Sequence, residues 1–172
     1  VKSGGTVTLL KDVTVENTII LNDNKALTID LGGHTLSNSK GCVLNVYDDL
    51  TLRNGTVTIG DEATNTCVIW MLQEGKLKVE DDVIVTSPDG NWCIGLWSDC
   101  TESEVTVEGS LIGSHGLTVN GNSTSENNKV VIADGANIDV DGLALYLAGV
   151  ATTEINNATV KGGITGVEIR AG

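Results

Sequence analysis

The sequence predicts an all-β chain, a parallel β-solenoid of three sheets wound into about seven coils. Three observations carry this. A strand–turn–strand pattern recurs about every 25 residues, which is the period range of solenoids. The segments between turns are dominated by Val, Ile, Leu and Thr and alternate in polarity, as strands do. No stretch keeps the 3.6-residue apolar spacing of an amphipathic helix for more than a turn or two.

The pattern reads six times. Leu27 to Leu31 meets Gly32-Gly33 and then Thr35-Leu36. Leu50 to Arg53 meets Asn54-Gly55 and then Thr56 to Ile59. Leu77 to Glu80 meets Asp81-Asp82 and then Val83 to Val85. Val105 to Glu108 meets Gly109-Ser110 and then Leu111-Ile112. Val130 to Ala133 meets Asp134-Gly135 and then Ile138 to Val140. Glu154-Ile155 meets Asn156-Asn157 and then Thr159-Val160. These two segments supply a second and a third sheet. Gly, Asn and Asp suit the turns because they tolerate positive φ. A first sheet precedes them in each coil, at 18–21, 42–47, 67–72, 92–97, 117–120, 143–148 and 165–169. Strands at 6–10 and 13–15 form a partial first coil. The longest turns are expected at 60–66, 98–103 and 120–129, the last being polar and the best candidate for a mobile loop.

Alternation assigns the two sides of each strand. In the second sheet Leu27/Ile29, Leu50/Leu52, Leu77/Val79, Val105/Val107 and Val130/Ile132 face the core. Thr28, Thr51, Lys78 and Thr106 form one outward row, and Asp30, Arg53, Glu80 and Glu108 the next. Arg53 thus sits in an ion ladder between Asp30 and Glu80.

The 172 residues are read as a single domain, 1–172, with no linker or shift of composition. Ten basic and 23 acidic residues give a net charge of −13. So acidic a surface repels phosphate backbones and anionic membranes, which excludes nucleic acid as a partner and gives no ground for membrane insertion. The chain starts at Val1, without Met, and is read as a processed product or an excised piece of a longer protein. Cys42 and Cys67 stand one repeat apart, at a Cα separation a disulfide accepts, and Cys93 and Cys100 flank one turn. Two disulfides, Cys42–Cys67 and Cys93–Cys100, are weighed against four buried thiols acting as small hydrophobes.

The segments Gly4 to Val13 and Leu27 to Leu36, with the repeat as a whole, resemble the right-handed parallel β-helix of the pectin-lyase-like superfamily. In particular they resemble the β-helix regions of large secreted or surface proteins of Gram-positive gut bacteria. The resemblance covers essentially the whole chain, at the level of the repeat. It implies a secreted or cell-surface location, and it specifies chemistry weakly.

Enzymes of that superfamily give a pattern to look for. Hydrolases need several aspartates and a Gly-His-Gly segment on one face. Here Asp48-Asp49 is the only Asp pair ending a first-sheet strand, and Ser114-His115-Gly116 departs at its first residue. Lyases need a basic residue over a calcium-binding carboxylate cluster, but the two arginines, Arg53 and Arg170, lie elsewhere. His34 and His115 have no Ser or Cys nucleophile in evident reach. No cysteine or histidine spacing fits zinc, and no acidic cluster fits an EF-hand, so no metal or cofactor is expected. The chain is read as a non-catalytic module, with a polysaccharide lyase or hydrolase as an alternative.

The feature that points to binding is the placement of aromatic residues. The chain has no Phe, three Trp and two Tyr, and all lie in the first sheet. With Leu44/Val46, Ile69/Met71, Ile94/Leu96, Leu117/Val119 and Leu145/Leu147 inward, one outward row reads Asn45, Trp70, Gly95, Thr118, Tyr146. The neighbouring row reads Tyr47, Leu72, Trp97, Asn120. Only Trp92 is expected to turn inward. Trp70, Trp97, Tyr47 and Tyr146, with Asn45 and Asn120 as polar contacts, are thus the expected platform for a carbohydrate or a protein. Gly95 is expected to leave a shallow notch. The expected role is a stalk or adhesin segment of a bacterial surface protein. Neither end shows a capping helix, so both look cut, and end-to-end stacking into a homo-oligomeric fibre is the second expectation.

Overall fold

A computed structural model describes residues 4–23, 25–120, 125–149 and 151–170. Residues 121–124, within the expected mobile loop, lie outside the described residues. The described chain is all strand and turn, with no helix long and apolar enough to cross a membrane.

Period-two sequences pair in parallel because each coil lays its strands over those of the coil before. The first sheet contains β3 (Ile19–Leu21), β5 (Leu44–Val46), β7 (Cys67–Met71), the end of β9 (Val83–Leu96), the end of β11 (Ser110–Val119), β14 (Leu143–Leu147) and β17 (Thr165–Ile169). The second contains β1 (Gly5–Thr8), the start of β4 (Leu27–Asn38), the start of β6 (Asp49–Ile59), β8 (Lys76–Val79), β10 (Glu104–Val107), β12 (Asn128–Ile132) and β15 (Ala151–Ile155). The third contains β2 (Val13–Val15), the end of β4, the end of β6, the start of β9, the start of β11, β13 (Asn137–Val140) and β16 (Thr159–Gly162). Four strands bend round a corner and serve two sheets, so among the described residues each sheet carries seven strands. The molecule is a parallel β-solenoid of about six turns, close to the seven coils expected.

The core is one continuous column. Leu52, Val79, Val107 and Ile132 of the second sheet are fully buried, as are Leu44, Ile69, Met71, Ile94, Leu96, Leu117 and Leu145 of the first. Burying a side chain of this size contributes roughly 1.5–3 kcal/mol. The first and last rungs are barer, with Leu10, Ile20, Ile164 and Ile169 exposed.

Buried asparagines fix the corners. Asn38 Nδ2 donates to Cys42 O at 3.0 Å while its Oδ1 accepts from Lys40 N. Asn91, fully buried, donates to Ala63 O at 2.8 Å and accepts from Thr66 N at 3.0 Å. Asn128 donates to Cys100 O and accepts from Ser103 N. Each satisfies backbone groups of a turn that sheet pairing leaves unpaired.

Positive φ occurs at Gly32, Gly33, Asn54, Gly55, Gly135 and Asn157, as the turn residues predict. Two corners differ. Asp81-Asp82 and Gly109-Ser110 turn without positive φ. Gly109 is needed there for closeness: a Cβ on it would run into the carbonyl oxygens of Val83 and Glu80.

The two disulfides are not formed, and all four cysteines are free and buried. The spacing sets the backbone separation but leaves the sulfur direction open. Cys42 Sγ turns to Leu44 O at 3.0 Å, Cys93 Sγ to Val85 O at 3.3 Å and Cys100 Sγ to Met71 O at 3.1 Å, in the rung before. Burial pushes these thiols up, to about 11 for Cys42 and Cys100 and about 12 for Cys93, so they stay protonated and unreactive. The bland reading, cysteine as a small hydrophobe, describes them.

Candidate functional site

The register brings the expected outward row together. Asn45 pairs with Trp70, Trp70 with Gly95, Gly95 with Thr118 and Thr118 with Tyr146. The next row follows from Trp97 N bonding Met71 O and Asn120 N bonding Leu96 O. Between these rows the surface is concave. A cleft of about 470 Å³ is lined by Trp70, Trp92, Trp97, Tyr146, Asn120 and Thr66, with Thr118 recessed and 3 % exposed.

The rings brace one another. Trp70 and Trp97 meet edge to face, centroids 4.8 Å apart and planes at 85°. This is a favoured quadrupole geometry. Trp97 stays open to solvent, 47 % exposed. The notch expected at Gly95 is filled by the Trp70 ring, which lies where a side chain would stand. A Cβ on Gly95 would be 2.5 Å from Trp70 Cζ3 and 2.5 Å from Cys67 Sγ. The glycine therefore lets the indole lie flat across the sheet.

Trp92 is a correction to the sequence reading. It does not turn into the core but forms a wall of the cleft. Two consecutive residues after it, Cys93 and Ile94, are fully buried, as Val68 and Ile69 are one rung before and Ala144 and Leu145 two rungs after, so the alternation slips by one residue at this point of these rungs and leaves Trp92 outside. Trp92 packs on His115 at 4.7 Å and faces Tyr146 at 6.2 Å. His115 Nδ1 lies 2.8 Å from Ser114 Oγ, which also accepts from Gly90 N at 2.9 Å. Burial lowers the His115 pKa, favouring the neutral imidazole beside Trp92. Tyr146 carries the Arg170 guanidinium at 5.5 Å on its ring, and Arg170 Nε donates to Glu168 Oε1 at 2.7 Å. The signal that could have found Trp92 is the pair of consecutive apolar residues that recurs at this point, Val43-Leu44, Val68-Ile69, Cys93-Ile94 and Ala144-Leu145.

Two expected platform members lie elsewhere. Tyr47 shares a row with Trp97 but stands two rungs away, beyond Leu72. It lines a separate depression of about 410 Å³ with Lys25, Asp48, Asp49, Glu74 and Lys76. Asn45 is next to Trp70 in register but outside the cleft lining, and its Oδ1 lies 3.5 Å from the Cys42 thiol.

The cleft walls offer aromatic faces, amides and hydroxyls, and among the described residues no charged side chain lines it. Among the described residues no group of three or more His, Cys, Asp or Glu is placed to hold a metal ion. Asp48 and Asp49 belong to the other depression, beside Tyr47. The arrangement suits stacking and hydrogen bonding to a neutral ligand.

Compared with known proteins, the chain matches no family model, no curated sequence and no solved structure. The fold assignment rests on the strand pairing of this chain alone.

Proposed function

We propose that this β-solenoid is a non-catalytic binding module and that its first-sheet cleft holds a neutral carbohydrate. The single observation that carries the reading is the convergence of four of the five aromatic residues on one recess. Rigid indole and phenol faces stack on the apolar faces of sugar rings at low entropy cost, and Asn120, Thr66 and Asn65 at the rim suit hydroxyl groups. A recess of this size falls within the range of small-ligand sites.

The resemblance to the β-helix regions of secreted bacterial proteins supports a setting outside the cell, as a stalk or adhesin segment. A rigid solenoid suits that role because each rung contacts only its neighbours and the binding face is held without loops. The net charge of −13 directs the ligand choice away from acidic polysaccharides.

A glycan array probed with the wild-type chain and with Trp97→Ala tests the proposal. Retention on neutral glycans that is lost in the variant is the expected result. Trp97 is outward and half exposed, so the variant keeps its core. Equal retention by both chains would remove the cleft from the account. Retention of neither, with capture of a protein partner through the same residues, would turn the module into a protein-binding one.

A further inference from the structure

We infer that the ligand is a linear, neutral, β-linked glycan lying along the solenoid axis, across the strands, with about three sugar rings in the cleft. This rests on the carbohydrate reading above and adds the ligand's direction, length and linkage.

Three observations carry it. The first is the layout of the rings. Trp70 and Tyr146 stand on one register row with Gly95 and Thr118 between them, so three strand spacings, about 14 Å, separate their Cα atoms. That is the length of about three pyranose rings joined end to end. The second is that the row is straight. Each step from Trp70 to Tyr146 is a directly paired residue on the next strand, with no bulge between Leu117 and Val119 or between Ile69 and Met71. Equatorial β-linkages keep a glycan extended and present its flat C–H faces, whereas α-1,4 linkages coil it away from a straight row. The third is the relief across the row. Trp92 on one side and Trp97 on the other stand above recessed Thr118, which makes a trough open along the axis. A ligand running along a strand would have to cross both walls. Among the described residues no charged side chain lines the trough, so a uronic or sialic acid finds no partner on them.

In this arrangement Trp70 forms one end of the trough, Trp92 and Trp97 of the next strand its two side walls, and Tyr146 the far end. Arg170 on the outer side of Tyr146, tied to Glu168, holds that ring in place as a positioning residue.

Isothermal titration with glucose, cellobiose, cellotriose, cellotetraose and cellopentaose, repeated with the chito-oligosaccharide series and with maltotetraose, tests the inference. In one β-1,4 series affinity should rise by about tenfold per ring up to three rings and level off, each step being one stacked ring. Maltotetraose should bind at least about tenfold more weakly than the matching β-linked tetramer. Tyr146→Ala should abolish the gain from two rings to three while the far-ultraviolet circular dichroism and the unfolding midpoint stay those of the wild-type chain, a split that a loss of folding would not produce. A monosaccharide that binds as well as the trimer would overturn the inference and leave the carbohydrate reading standing, as would equal binding of maltotetraose. No heat and no change in tryptophan fluorescence with any sugar would overturn both.

Discussion

The outer faces of the first and second sheets stand on one core in matched register, yet they present opposite surfaces. Beneath both, the inward side chains of the middle rungs are aliphatic, Met or Cys and almost fully buried. Above the second sheet the outward rows read Thr28, Thr51, Lys78, Thr106 and Asp30, Arg53, Glu80, Glu108, with Arg53 Nη2 2.9 Å from Asp30 Oδ2 and Lys78 Nζ 3.1 Å from Glu108 Oε1. Above the first sheet the rows carry Trp70, Trp97 and Tyr146 around an uncharged recess. The difference separates two kinds of information. Inward positions fix the coil, and outward positions are free to be a solvated charge ladder on one side and a binding trough on the other. Exposed ion pairs contribute little to stability, so the second face serves solubility, while the first keeps aromatic area that folding alone does not require.

The largest expected effect tests the shared core. Ile69→Ala under the first sheet and Leu52→Ala under the second, both at fully buried sites, should each cost about 2–5 kcal/mol in urea unfolding. A large cost on one side alone would break the claim that the two faces rest on equivalent packing.

A smaller effect sharpens the first face. Gly95→Ala places a methyl against the Trp70 ring and Cys67 Sγ, and should cost about 1–3 kcal/mol. The near-ultraviolet circular dichroism of the tryptophans should change with it, because the Trp70–Trp97 edge-to-face pair is disturbed. An unchanged spectrum would mean that the ring does not lie over Gly95.

The smallest effect belongs to the second face. Arg53→Ala should shift the unfolding midpoint least of these variants, and the shift should shrink as salt is added. The Gly32 N–H, which donates to Asp30 Oδ1, and the Arg53 guanidinium lower the Asp30 pKa. The unfolded chain therefore takes up this proton first as the pH falls. The Asp30 contribution is complete at neutral pH and is lost on acidification through the carboxylate range, so Asp30→Asn should flatten the acid limb of the stability profile. An unaltered acid limb would show that Asp30 is not held by these partners.

Much of this contrast is legible in the sequence. Alternation places Trp70, Gly95, Thr118 and Tyr146 on one row because the period of a strand is two and the coil lengths differ only in their turns. Trp92 escapes that logic because two consecutive residues, Cys93 and Ile94, turn inward after it, so strict alternation assigns it the wrong side. Tyr47 is on the expected row and rung, but Leu72 stands between it and Trp97 and it lines a separate depression, which the order of the row does not reveal. The cysteine spacing gives backbone proximity and says nothing of where each sulfur points. Gly109 looks like a positive-φ turn and is instead a point of close backbone approach. Inward faces are thus read from periodicity, whereas corners and ring orientations depend on neighbours from other coils.

The central claim, that the outer face of the first sheet is a glycan site while that of the second is not, is tested most directly by titrating the ¹⁵N-labelled chain with cellotriose and chitotriose and following amide and indole N–H resonances. The account predicts that the indole signals of Trp70, Trp92 and Trp97 and the backbone signals of Thr118 and Asn120 move with one of the two sugars, while those of Thr51, Lys78 and Thr106 stay in place. Indole signals that do not move with either sugar, or shifts of equal size on both faces, would contradict it.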